Sequence, residues 1–192
     1  MMTKKEIRKE AKERIAAGLE SQEEWSREAA KHAFDFIESF DLRPATCIGI
    51  FLSMKGTEIE TAPLITLLKS SPKGYRLLVP RVDDETTIRF YPYSEDAPHK
   101  ISKYGIWEPL AETDEALTPE IIIVPGLAFD RKRGRVGHGK GFYDRFFERH
   151  NSEICLKAAL AFECQTFDEV PTEDYDFPMD ALITERGVTR FF

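Results

Sequence analysis

A chain of 192 residues corresponds to about one domain at ~150 residues per domain, long enough to close a core without disulfide or metal staples. With 42% hydrophobic and 32% charged residues, disorder, collagen-like repeats and disulfide scaffolds are excluded. A net charge of -7 argues against nucleic acid as a general partner, which needs a broad basic face. No apolar run approaches the ~20 residues of a membrane span, so no membrane partner is expected either.

In chain order, two helices come first. Thr3 followed by Glu6, and Ser21 followed by Glu24, each predict a capping box. Ile7, Ala11, Ile15 and Leu19 then recur at helical spacing, as do Trp25, Ala29, Ala33, Phe36, Ile37 and Phe40. After Pro44 the pattern changes to short apolar runs. Residues 46–52, 76–80, 87–91, 121–124, 156–162 and 181–184 read as strands, and 62–69 and 141–150 as helices. Several strands are apolar throughout, as strands covered on both faces must be. The expected fold is α/β: a single-domain layered sandwich with a largely parallel central sheet flanked by helices, its ligands at the carboxyl ends of the strands. Phe51, Phe129 and Phe162 are assigned to the core. No charged-then-apolar leader opens the chain. Cys47, Cys155 and Cys164 fit neither a zinc spacing nor a disulfide framework, so buried thiols in a cytoplasmic protein are expected.

The chemistry concentrates in residues 121–149, which run strand, loop, glycine-rich turn, helix. Gly134, Gly137, Gly139 and Gly141 free the backbone to aim N–H groups at one anion, and the following helix adds its dipole. Between residues 131 and 145, six Lys or Arg stand against one acid, a local charge of about +5 in an acidic protein. A solvated, glycine-rich surface loop is the competing reading. Gly134 to Lys140 matches part of a P-loop, but Gly141 replaces the hydroxyl residue that binds magnesium, and the strand ends about nine residues too early. A standard P-loop nucleoside triphosphatase is rejected.

The run PGLAFDRKRGRVGHGKGFYDR (residues 125–145) resembles the signature of the 5-formyltetrahydrofolate cyclo-ligase family. KKEIR near the start, FLSMKGTEIET, KYGIWEP and VPTEDYDFPMDALITE resemble other segments of that family in order and spacing, so the resemblance spans essentially the whole chain. It implies a Rossmann-like, NagB/RpiA/CoA transferase-like sandwich. It also implies an ATP- and Mg2+-dependent conversion of 5-formyltetrahydrofolate to 5,10-methenyltetrahydrofolate, with ADP and phosphate released. Reduced folate and ATP are the implied partners of a monomer.

The resemblance places the ATP site at Lys4, Lys5, Glu6, Ile7 and Arg8, and at Arg135, Val136, Gly137, His138, Gly139, Lys140, Gly141, Phe142 and Tyr143. Arg135, Lys140 and Arg145 carry the catalytic charge, although Arg145 can equally pair with Glu148 on the helix surface. Magnesium falls to Asp144 and Asp176, with Asp174 and Asp180 as alternatives to the second. Folate contacts fall to Leu52, Glu58 and the loop from His138 to Phe142; a loop at 55–57 longer than in some members selects Glu58 over Glu60. Either Tyr104 or Trp107 packs on the pterin, or both belong to the core. Phe142 stands where many members have Tyr, and His138 at a variable position. A small-molecule kinase and a non-catalytic nucleotide- or folate-binding regulator are the alternatives, since both use the same phosphate cradle.

Overall fold

The computed structural model describes residues 2–54, 56–96, 99–101, 107–110 and 116–192, with the backbone alone at Trp107. Helix α1 (Lys4–Ala17) begins at Thr3. The Thr3 hydroxyl accepts the Glu6 N–H and the Glu6 carboxylate accepts the Thr3 N–H, so the first capping box is made. The second is not. Ser21 ends a 3-10 turn (Leu19–Ser21) that runs straight into α2 (Gln22–Glu38), and its backbone is already helical at φ -100°, ψ -6°. A capping hydroxyl needs an extended residue from which to swing back over the first turn. Here the Gln22 side chain instead reaches back to the Ile15 carbonyl at 3.0 Å.

The remaining elements are β1 (Cys47–Ile50), α3 (Ala62–Ser70), β2 (Arg76–Val82), β3 (Ile88–Pro92), β4 (His99–Ile101), β5 (Trp107–Pro109) and β6 (Ile121–Val124). They are followed by β7 (Ala128–Asp130), β8 (Arg135–Val136), α4 (Phe142–His150), β9 (Leu156–Leu160), β10 (Thr166–Phe167), β11 (Ala181–Thr184) and β12 (Gly187–Arg190). The main sheet has the order β12-β11-β9-β6-β1-β2-β3. Its five inner strands pair in parallel and each edge strand pairs antiparallel. The expected α/β sandwich with a largely parallel sheet is therefore present.

Side-chain alternation along β6 explains why the sequence is apolar throughout. Ile121 and Ile123 pack with Ile7, Ala33 and Leu64 of the first three helices, while Ile122 and Val124 pack with Phe146 and Phe147 of α4. Each buried Ile contributes roughly 1.5–3 kcal/mol relative to exposure. Phe51, Phe129 and Phe162 are buried as expected. The cysteines depart from expectation: all are free thiols, but Cys155 is exposed and Cys47 and Cys164 are only partly buried. Cys155 lies in the loop before β9, tied by its backbone N–H to the Glu120 carbonyl rather than by its side chain. Burial raises the Cys47 thiol and pushes Cys164 up to about 11.

Candidate active site

The sheet order sets the position of the site. From β1 the chain moves to β2 and β3 on one side, then returns across β1 to β6 on the other. Loops leaving β1 and β6 diverge, and a crevice opens beyond their carboxyl ends. A cavity of about 360 Å³ fills it. Phe51, Leu52, Met54 and Glu58 follow β1, Pro80 and Val82 end β2, and Pro125 follows β6. Arg135 of β8, residues 137–141 of the glycine-rich loop, and Phe142 and Tyr143 of α4 form the facing wall.

The strand spacing that fails for a P-loop has a structural cause. A hairpin, β7 with β8, is inserted between β6 and α4 and joined by β10 into a second, three-stranded sheet. Asp130 organises its turn. The buried carboxylate takes the N–H groups of Lys132 and Gly134 on one oxygen and that of Val170 on the other, at 2.8, 2.8 and 2.9 Å. Gly134 is needed for close approach rather than for an anion: a Cβ there would stand 2.6 Å from Val170 Cγ2 and 2.7 Å from Asp130 Oδ2. Asp130→Ala strands three N–H groups, at least two of them in buried bonds, each costing ~1–3 kcal/mol. The expected loss is therefore ~3 kcal/mol or more by denaturant titration; a midpoint unchanged from the wild type would show that the turn holds itself.

The cationic cluster is sorted by the same hairpin. Arg131 pairs with Glu163, Lys132 with Glu169 and Arg133 with Asp180, and none of the three lines the cavity. The expectation of one concentrated +5 patch is therefore corrected: of the six cations only Arg135 and Lys140 line the cavity. Arg131, Lys132 and Arg133 sit in the turn between β7 and β8 and pair with acids that arrive later in the chain. Arg145 does not pair with Glu148; its Nε donates to the Thr86 carbonyl at 2.7 Å and its Nη2 to the Lys140 carbonyl at 2.6 Å, bracing the loop. The remaining charge comes from α1. Arg8 donates from Nε to the Gly137 carbonyl at 2.9 Å. Lys4 pairs with Asp176 at 2.6 Å and Glu173 at 2.7 Å. Burial opposes the Lys4 charge, but its bonds to those two carboxylates outweigh it and hold its pKa above the ordinary value. Lys5 and Glu6 are exposed, Glu6 serving the cap, while Ile7 is 1% exposed in the core.

Lys140 is held between two left-handed glycines, Gly139 at φ 96° and Gly141 at φ 63°, where other residues are strained. The Arg8 guanidinium packs on Gly139, 3.4 Å from where a Cβ would stand. Gly141 then caps α4, and Asp144 falls in the first turn of that helix. One nitrogen of Arg135, Nη2, donates to both Asp144 oxygens at 2.8 and 2.7 Å, with the Arg135 side chain only 6% exposed. Phe177 N–H donates to Asp144 at 3.3 Å, which brings the neighbouring Asp176 to the same corner. Asp180 lines a different cavity with Phe40, Ile121 and Cys155.

In the loop after β1, Glu58 is buried and accepts the Met54 N–H at 2.9 Å. Its other oxygen meets His138 Nε2 at 3.0 Å, so the glycine-rich loop is tied to the loop after β1. Glu60 is absent from the cavity lining; its N–H bonds Ser26 instead. Tyr104 lies outside the described residues, as does the Trp107 side chain. Among the described residues, the buried side-chain polar atoms without a hydrogen-bond partner are Arg135 Nε and the Tyr143 hydroxyl, and both residues line the cavity. Burial, with Glu58 nearby, pushes the Tyr143 phenol well above its ordinary range, so it is a neutral donor. The sequence carries no motif signal for the Asp130 turn; Glu108, a buried carboxylate that also lines the cavity, falls within KYGIWEP, where only the two aromatics carry an expected role.

Among the described residues no helix is long and apolar enough to cross a membrane. The profile of the 5-formyltetrahydrofolate cyclo-ligase family matches residues 1–185. A 5-formyltetrahydrofolate cyclo-ligase of Haemophilus influenzae is 33% identical over 186 residues, 94% of this chain and 97% of that one. The NMR structure of Aquifex aeolicus 5,10-methenyltetrahydrofolate synthetase superposes with a TM-score of 0.75 at 30% identity, covering 98% of this chain and 93% of that one. A 5,10-methenyltetrahydrofolate synthetase from Mycoplasma pneumoniae, 18% identical, shares the fold at a TM-score of 0.74 over 96% of this chain and 99% of its own. With matches running from α1 to β11 and covering nearly all of these relatives, this chain is an enzyme of ligase type that belongs to the 5-formyltetrahydrofolate cyclo-ligase family.

Proposed function

We propose that this protein converts 5-formyltetrahydrofolate to 5,10-methenyltetrahydrofolate at the expense of ATP, releasing ADP and phosphate, with Mg2+ as the metal. One observation carries the reading. A single cavity joins an apolar wall with a buried carboxylate, Glu58, to a glycine-rich loop bearing Arg135 and Lys140. The first suits a flat heterocycle with N–H donors, and the second suits a polyphosphate.

The chemistry explains why both are needed together. The formyl group is an amide, and its oxygen is a poor leaving group. That oxygen attacks the γ-phosphorus of ATP, the bond to the ADP oxygen breaks, and an iminium phosphate forms. N10 of the same folate then attacks the formyl carbon and loses its proton, the carbon–oxygen bond breaks, and phosphate departs. The protein supplies positioning and charge, with no nucleophile of its own. Glu58 orients the pterin. Lys140 and Arg135 face the phosphoryl group, while Lys4 and Arg8 reach the polyphosphate from one turn of α1. The Tyr143 hydroxyl and Arg135 Nε are donors waiting for an acceptor oxygen. Apolar residues such as Phe51 and Val82 keep water from the iminium phosphate.

Asp144 and Asp176 suit magnesium, which takes one or two carboxylates and completes its shell with water and phosphate oxygens. When bound, the ion neutralises charge on the phosphate oxygens. Both carboxylates are paired with cations of the cradle, Arg135 and Lys4. Purified protein, 5-formyltetrahydrofolate, ATP and Mg2+ are expected to generate the longer-wavelength absorbance of the conjugated methenyl product, and omission of ATP or Mg2+ to abolish it. ADP release without that absorbance would replace the cyclo-ligase with a kinase; neither signal would replace it with a regulator.

A further inference from the structure

Among the described residues two buried carboxylates line the cavity, and the proposed function uses only one. Glu108 sits on β5 and is 3% exposed. Its neighbours in the wall are apolar: Pro80, Val82 and Ile88. A carboxylate offers about four acceptor positions, yet among the described residues Glu108 has one long hydrogen bond, from the Val82 N–H at 3.3 Å. Lys100, directly across the β4–β5 pair, holds its Nζ 3.8 Å away from a half-exposed position, beyond hydrogen-bonding distance. Glu58 differs, because its two oxygens already meet the Met54 N–H and His138. Burying an ionised group in an apolar wall is costly unless donors satisfy it.

We propose that Glu108 is a second folate-binding residue, accepting an N–H of the bound reduced folate on the side opposite the edge held by Glu58. Its negative charge also keeps the anionic tail of the folate from lying against β2 and β5, so it fixes which way round the substrate enters. This rests on the cyclo-ligase reading and adds an orientation device to it. Such a residue acts on folate and leaves ATP alone, whereas a carboxylate that only pins β5 to β2 acts on stability.

The experiment measures 5-formyltetrahydrofolate binding by titration calorimetry, and KM for folate and for ATP, in wild type, Glu108→Gln and Glu108→Asp. Gln keeps an acceptor for the Val82 N–H but removes the charge. A lost hydrogen bond to a charged group corresponds to about a tenfold change. Glu108→Gln is therefore expected to raise the folate Kd and KM about tenfold, with ATP KM within about twofold and an unchanged melting temperature. Glu108→Asp, which keeps the charge, recovers part of the affinity. Wild-type folate affinity in folded Glu108→Gln, or a lower melting temperature with unchanged folate KM, would overturn the proposal. A wild-type protein that neither binds folate nor forms the methenyl product would overturn the functional reading itself, and this proposal with it.

Discussion

Asp144→Asn is expected to abolish methenyl formation and to destabilise the protein in the same stroke. Asp144 partners Arg135, whose side chain is 6% exposed and whose Nη2 donates to both carboxylate oxygens. Among the described residues Arg135 has little else: one nitrogen reaches the Pro125 carbonyl at 3.3 Å, the guanidinium lies 5.9 Å from the Tyr143 ring centre, and Nε has no hydrogen-bond partner. Removing one charge of a buried pair leaves the other uncompensated, a cost of ~3–5 kcal/mol when nothing replaces it. Asparagine retains one acceptor oxygen, so ~3 kcal/mol is expected, or ~6–12 °C in melting temperature for a chain of this size. Asp176→Asn makes the contrasting case. Its partner Lys4 is more exposed and keeps Glu173. Loss of turnover with a nearly native melting temperature is expected there. Calorimetric melts and turnover of both variants separate the roles. A native melt for Asp144→Asn would show that the Arg135 pair contributes nothing to the fold, and retained turnover in both would remove these carboxylates from the metal site.

The same two acids show which parts of the molecule can be read from sequence. β6 is legible because Ile121 to Val124 must satisfy two packed faces, and only an unbroken apolar run does so. The start of α1 is legible because Thr3 and Glu6 complete their cap within four residues. The end of the sheet is less so: β12 is a short edge strand of mixed character, recognisable only by its pairing with β11. The cationic cluster misleads for a related reason. Charges adjacent in sequence diverge on the β7–β8 hairpin, and Arg131, Lys132 and Arg133 find Glu163, Glu169 and Asp180 more than thirty residues on. Local charge density therefore says nothing about convergence. Asp130 is illegible because its third donor, Val170, is forty residues distant. Glu58 and Asp176 meet the cradle only through tertiary contacts, and the family resemblance rather than spacing points to both.

Lys140→Ala is expected to cost at least ~10²-fold in kcat/KM, the scale of losing one preorganised donor at a developing charge, while leaving the fold intact. Lys140 is exposed at the tip of the loop and lines the cavity. The backbone that presents it is set independently, by left-handed Gly139 and Gly141 and by Arg145 on its carbonyl. Truncation removes the ammonium without disturbing that frame, so the melting temperature is expected to stay within ~2 °C. Lys140→Arg is not conservative here, because a planar fork cannot follow a moving phosphoryl group as a compact point charge does; it is expected to restore ATP binding more than turnover. Arg145→Ala provides the opposite pattern. It leaves the ammonium in place but releases two braces, to Thr86 and to Lys140, so KM for ATP rises more than kcat falls. Steady-state kinetics of the three variants tests this division of labour. Wild-type kcat in Lys140→Ala would mean that phosphoryl charge is met by Arg135 and α1 alone, and a larger kcat loss in Arg145→Ala than in Lys140→Ala would move the catalytic cation one turn along the helix.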